Sequence, residues 1–344
     1  MMQKRWVLVF VFALNLPYWA QPDDRVDFKK PICCSVRFVD EKHGWIAGYK
    51  GVFHTTDGGE TWRRQAATVG SLMGPEPTSL DARNGQILWA SSNRALVRCD
   101  KGVLVCDAGS SSCAIIQLPA AIDVQMNAIS FANERDGWAV GALGSVFATR
   151  DGGVSWDTMS RPTANSLRAV FVLSSSEVWA AGENGTVIHT RDGGRMWELE
   201  ETSNDDLWHV GFIDSKEGWL CGTPVKILRT TDGGTRWTGQ STPLSVGATI
   251  LSMSFADRGE GWAVGSKFVE RAGPYAYEPV ILHTVDGGLR WELQPLETKP
   301  FALRDRLLDV QALPNGRAWA VGEDGTVLRT VDHGRRWTQV KLPS

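Results

Sequence analysis

The sequence is poor in the side chains from which most reaction centres are built. Beyond the first twenty residues its only tyrosines are Tyr49, Tyr275 and Tyr277. The six histidines are His43, His54, His189, His209, His283 and His333, and no two stand at metal-ligand spacing. A Gly-rich phosphate loop, a Ser nucleophile elbow and a paired Cys and His are all missing. No metal or cofactor site is therefore expected. Basic excess is lacking too: 36 Lys and Arg stand against 39 Asp and Glu, for a net charge of −3, which argues against a surface that coats nucleic acid. Long apolar runs are also absent, since Trp6–Leu14 is too short to span a bilayer as an ordinary helix.

What the chain has in abundance is tryptophan, glycine and repetition. The stretch Thr190-Arg-Asp192-Gly-Gly194-Arg-Met-Trp197 reads as a tight turn between antiparallel strands. Its Asp accepts backbone N–H groups, its glycines supply positive φ, and its Trp wedges against a neighbouring sheet. The pattern recurs around Asp57, Asp151, Asp232, Asp286 and Asp332. Successive Asp residues lie 94, 41, 40, 54 and 46 positions apart, so the first interval hides a worn copy. The segment Arg98-Cys-Asp100-Lys-Gly102 is the candidate, with Val105 in place of the Trp. A second ladder has Trp-x-x-Gly rungs at Trp45, Trp138, Trp179, Trp219, Trp262 and Trp319, with Trp89-Ala-Ser as the remaining rung. Short strands repeating every 40 to 50 residues are the signature of propeller blades. Seven rungs predict an all-β, seven-bladed β-propeller of four-stranded antiparallel blades over residues 32–344. The ring closes either by packing the first blade on the last or by a strand from Arg25-Val-Asp-Phe28 added to the last blade.

Lys4 and Arg5, an apolar core and Ala20 give residues 1–20 the order of a secretory signal, with cleavage placed after Ala20 and an uncleaved anchor as the alternative. Export to a periplasmic or extracellular space is the corresponding expectation. Six cysteines in an exported chain are able to pair. Cys99, Cys106 and Cys113 share the repeat that lost its Trp, so a disulfide between two of the three is expected to replace it. Cys221 reads as a small buried apolar residue.

In a four-stranded meander the clasps share a face with the turns between strands one and two. The hairpins between strands two and three, and the connections between blades, lie on the other face. That second face carries the length variation, above all in the sixth hairpin, 266–279, and is the expected working surface. The clasp carboxylates Asp57, Asp151, Asp192, Asp232, Asp286 and Asp332 are read as structural, each satisfying its own turn. Candidates for binding an acidic partner are Arg150, Arg161, Arg168, Arg191, Arg195, Arg229 and Arg236, joined by Lys267, Arg271, Tyr275 and Tyr277 of the long hairpin. His54, His189 and His283 precede the clasp Thr at one equivalent position, which marks them as repeat residues.

The clasp resembles the Asp box, or bacterial neuraminidase repeat, so a sialidase-like hydrolase is one reading. Its tyrosine nucleophile and acidic partner would fall on Tyr277 and Glu278, adjacent residues of an extended hairpin, and the Phe/Tyr-Arg-Ile-Pro motif is absent. A carbohydrate-binding propeller is another reading. The longer run at Gly137–Trp156 and Val178–Trp197, which pairs Trp-Ala-x-Gly with Asp-Gly-Gly, resembles the photosystem II stability/assembly factor family. That resemblance implies a non-enzymatic propeller that holds a membrane-complex subunit through a basic patch and its loop face. It also implies peripheral contact with a membrane, in a thylakoid lumen where the host is photosynthetic. The chain departs from the family in three respects: it lacks the lipobox Cys of the cyanobacterial form, its second blade is worn, and its sixth hairpin is enlarged.

Overall fold

The computed structural model describes residues 33–48, 51–65, 77–83, 86–91, 102–107, 113–117, 124, 126–269, 276–296 and 306–343. Among them, four-stranded antiparallel meanders follow one another at 33–65, 77–117, 126–158, 167–201, 207–239, 248–293 and 307–339. Strands are lettered a to d within each sheet, in chain order. Each strand a adjoins strand a of the next sheet, and Leu307–Leu313 adjoins Cys33–Phe38, so the sheets close into a β-propeller. Six of the sheets are described down to their side chains, and the sheet at 77–117 by its backbone. The expected segment 1–20 and the strand from Arg25 to Phe28 lie outside the described residues.

Strand composition follows position in the blade. Strands b such as Gly137–Gly141, Val178–Gly182 and Gly218–Gly222 are buried at every residue, because each is covered by sheets on both sides. Such strands read as unbroken apolar runs. Strands d are exposed and mostly two residues long. Asn184-Gly185 turns as expected, with φ of 54° and 64°.

The clasp works through a residue the sequence reading passed over. Thr190 Oγ1 donates to Asp192 Oδ1 (2.8 Å) and accepts the Gly194 N–H (3.0 Å), while Asp192 Oδ1 accepts the Met196 N–H (3.0 Å). The same three bonds recur around Asp57, Asp151, Asp232, Asp286 and Asp332. The clasp Asp residues are thus structural, as expected, with the Thr hydroxyl relaying between carboxylate and backbone.

Where both residues are described, the rung Trp lies against the second clasp Gly of the following sheet. A Cβ added to Gly234 would stand 2.1 Å from the Trp179 ring, and one on Gly59 would stand 2.1 Å from Trp319. Gly288 under Trp219 and Gly334 under Trp262 repeat the contact at 3.3 and 3.1 Å. The second Gly is therefore needed twice: for its positive φ, 83° at both Gly59 and Gly234, and to admit an indole.

Two sequence expectations need correction. The second repeat's clasp is not at Asp100. Its strand c is Gly102–Asp107 and its strand d is Cys113–Gln117, so the reversal between them starts at Asp107, and Val105 lies inside strand c. Trp89 pairs with Leu104, which puts Val105 and Asp107 at the strand c positions of the clasp Thr and Asp. The hairpin runs two pairs longer than its neighbours, and that displaced the landmarks. The sixth hairpin, read as a loop over 266–279, is instead a ribbon: Ser266, Lys267 and Phe268 pair with Pro279, Glu278 and Tyr277.

Ring closure uses no shared strand among the described residues, since the first and last sheets each draw four strands from their own repeat. Asp309 closes the seam. Its Oδ2 accepts Ser35 Oγ (2.7 Å), the Val36 N–H (3.1 Å) and Arg37 (2.9 Å), and its Oδ1 accepts Ser252 Oγ (2.7 Å). One carboxylate thus joins the sixth, seventh and first sheets. Phe38 stacks on Trp319 at 5.5 Å, Gln311 donates to the Phe38 carbonyl (3.0 Å), and Arg329 pairs with Glu60 (2.6 Å).

Gly234→Ala is expected to cost about 3 kcal/mol, from overpacking and left-handed strain together, whereas Gly239→Ala, with no atom within 4 Å of its added Cβ, should change little. Urea unfolding of the two variants measures the difference. The clasp carboxyls predict a pH dependence as well. Hydrogen bonds from Ser155 and Thr149 hold Asp151 at about 2, and those from Thr61 hold Asp57 lower still. A folded-state pKa below the unfolded value means the stabilisation is full above about 4 and fades as pH falls towards 2. Asp151→Asn should therefore lower the urea midpoint at pH 7 and lose most of that deficit at pH 2.

Candidate docking face and central channel

Every strand a carries a register shift near its start, between residue pairs such as Leu167/Ala169, Leu207/His209 and Leu307/Asp309. A bulge inserts one unpaired residue and re-aims it. In the fourth and fifth sheets those residues are Arg168 and Trp208, at the channel end that faces the b–c hairpins. The Arg168 guanidinium lies 4.1 Å over the Trp208 ring and bonds Glu183 Oε1 (2.9 Å) and Asp206 Oδ2 (3.0 Å). The Trp208 indole N–H donates to Thr223 Oγ1 (2.9 Å). Only 7% of the Arg168 side chain is exposed. Burial pushes its pKa down while Asp206 and Glu183 oppose the shift, and an Arg remains charged throughout. Lys226 pairs with Asp205 beside it, so two cations and three carboxylates form one network across two sheets.

The channel below has a volume of about 350 Å³. Its floor is polar, with Asp309, Arg37, Ser252 and Gln311 on one side and His209 on its wall. Burial drives His209 down to about 4; Asp309 pulls the other way and Arg37 adds to the fall. The ring is therefore neutral near pH 7.

The described candidate residues, nine of the eleven, lie on two faces. Arg150 donates to the Gly193 carbonyl (2.9 Å) and Arg191 to the Gly233 carbonyl (3.2 Å), each reaching the clasp of the next sheet. Arg229 pairs with Glu217 and lies 5.9 Å over Trp219. Arg195 and Arg236 are exposed on the clasp face. Arg161, Arg168, Lys267 and Tyr277 belong to the hairpin face, while Arg271 and Tyr275 lie outside the described residues. The repeat histidines pack as expected: His54, His189 and His283 stack on Trp45, Trp179 and Trp262 at 4.5, 4.2 and 4.7 Å. Cys221 is fully buried, and burial pushes its thiol up.

Sequence reading missed Trp208, Asp309 and Arg306. The signal for Trp208 was there, because it follows Leu207 as Arg168 follows Leu167, at one repeat position. On the long ribbon, the Arg306 guanidinium stands 5.5 Å over the Tyr277 ring, and Phe268 meets that ring edge-on at 5.9 Å. Tyr277 and Glu278 are consecutive strand residues, so their side chains leave opposite faces of the ribbon and cannot meet at one substrate atom as nucleophile and base.

Comparison with known proteins follows this geometry. The profile of the family described as photosynthesis system II assembly factor YCF48 matches residues 107–205, 198–299 and 239–344. Among solved structures, YCF48 bound to a D1 peptide superposes with a TM-score of 0.67 at 20% identity, covering 88% of this chain and 93% of that one. YCF48 from Cyanidioschyzon merolae gives 0.66 at 17%, covering 87% and 95%. The Niastella koreensis GH74 enzyme gives 0.67 at 11%, covering 90% of this chain and 54% of the enzyme. At such identities these likenesses speak for the fold. No curated protein matches the chain by sequence. The profile spans most of the blades, from the worn second clasp to the last outer strand, and on that ground the chain belongs to the photosynthesis system II assembly factor YCF48 family.

Proposed function

We propose that the chain is a seven-bladed, non-enzymatic docking ring that holds a segment of a membrane-complex subunit during assembly, with the hairpin face as its contact surface. The observation that carries this reading is the pair of arginine–aromatic stacks on that face, Arg168 on Trp208 and Arg306 on Tyr277. Arginine and large aromatics are the residues that dominate binding energy at protein interfaces. The network around Arg168 fixes Trp208 in place, so little side-chain entropy is lost on docking. The long sixth ribbon adds Lys267 and Tyr277 to that face. One YCF48 has been solved with a D1 peptide; a chain of the same family and fold is read here as taking a partner of that kind.

The clasp face is assigned a structural role, because Arg150 and Arg191 are occupied in blade-to-blade contacts and Arg229 pairs with Glu217 of its own sheet. Residues 1–20 are read as an export signal, which places the ring outside the cytoplasm and beside a membrane. No nucleic-acid, metal or cofactor role is part of the proposal.

Crosslinking in the native host, with partner recovery measured on tagged chains, tests the face assignment. Lys267→Glu combined with Tyr277→Ala should lower recovery tenfold or more, whereas Arg195→Glu combined with Arg236→Glu should leave it within about twofold. The opposite ranking would move the contact surface to the clasps. N-terminal sequencing of the chain recovered from the host should begin at Gln21; an intact Met1 would point to an anchor.

A further inference from the structure

The second sheet lacks the means by which the others hold their c–d reversal. With Val105 at the Thr position there is no hydroxyl to relay between Asp107 and the backbone, and the sequence from Ala108 to Gln117 contains no Trp. Two cysteines stand where that reversal is anchored. Cys106 in Gly102–Asp107 and Cys113 in Cys113–Gln117 are Cα partners, the pair nearest the reversal in the register of these two strands.

We propose that Cys106 and Cys113 form a disulfide that serves as the second sheet's clasp. Residues directly opposite on antiparallel strands have Cα atoms about 4.5 or 5.5 Å apart, depending on the type of pair. Both separations fall inside the roughly 4.4–6.8 Å that a disulfide spans. The other cysteines are worse placed. Cys99 has no register partner among the described residues. Cys33 and Cys34 belong to strand a of the first sheet, and Cys221 is buried in the fifth. Sequence alone left three pairings open; the register selects one.

The bond forms by thiol–disulfide exchange. Oxidised glutathione, or a disulfide protein of the same reactivity, is attacked by one cysteine thiolate to give a mixed disulfide, and the second thiolate then displaces the glutathione. One disulfide is consumed and one is made. The two thiol protons pass to the two glutathione thiolates released, and the pair of electrons passes with them.

The test uses the full chain, purified reduced and equilibrated with excess oxidised glutathione, then acid-quenched, alkylated and mapped without reductant. The expected product is one linked peptide pair joining Cys106 to Cys113, with amide exchange across Gly102–Gln117 slowed at least tenfold against the reduced chain and the sheet at 167–201 unchanged. Full alkylation of both cysteines overturns the proposal, as does a linkage of either to Cys99 or a glutathione adduct left on either. Linkage without slower exchange overturns the clasp role. Because the oxidant is supplied, the outcome does not depend on whether residues 1–20 direct export or on which partner the ring holds.

Discussion

The described blades depend on one repeated contact, the indole of a Trp-x-x-Gly strand lying against the second glycine of the next sheet's clasp, made by Trp138, Trp179, Trp219, Trp262 and Trp319. It turns two sequence ladders into a single device. The Trp belongs to the buried centre of one blade and the Gly to the outer turn of its neighbour. Every occurrence therefore fixes the distance and tilt between two sheets at once. The Thr–Asp relay holds the glycine where the indole needs it, and the buried strands b supply the apolar bulk on which the contact rests. Most of the hydrophobic clusters bear this out by drawing on adjacent blades: Trp262 and Ile281 pack with Val310 and Trp337, and Trp319 and Val327 with Val36 and Phe53.

Much of this was legible in the sequence, because each rung and clasp carries its own signal. Trp179-Ala-Ala-Gly and Thr190-x-Asp-Gly-Gly declare a buried strand and a left-handed turn using local residues alone. Where the signals are nonlocal, reading failed. The worn second clasp was placed at Asp100 because composition cannot reveal that a hairpin runs two pairs longer; only strand register moves it to Asp107. The role of the clasp Thr was missed because a hydroxyl next to a turn looks like ordinary strand composition.

The candidate site was read less well, and for a physical reason. Arginine has one appearance in sequence and several functions in space. Arg150 and Arg191 occupy equivalent clasp positions and do equivalent structural work, whereas Arg168 reaches the channel mouth because a bulge re-aims it. Asp309 carried no motif at all: its importance comes from donors on two other sheets that lie up to 274 residues away along the chain.

A circle fastened by side chains has a different mechanics from one riveted by a borrowed strand. The junction between the first and seventh sheets is held by the Asp309 carboxylate, the Phe38–Trp319 stack, the Gln311–Phe38 bond, the Arg329–Glu60 ion pair and an apolar cluster that both sheets share. The ring is a split washer, its cut held shut by side chains that single substitutions can tune.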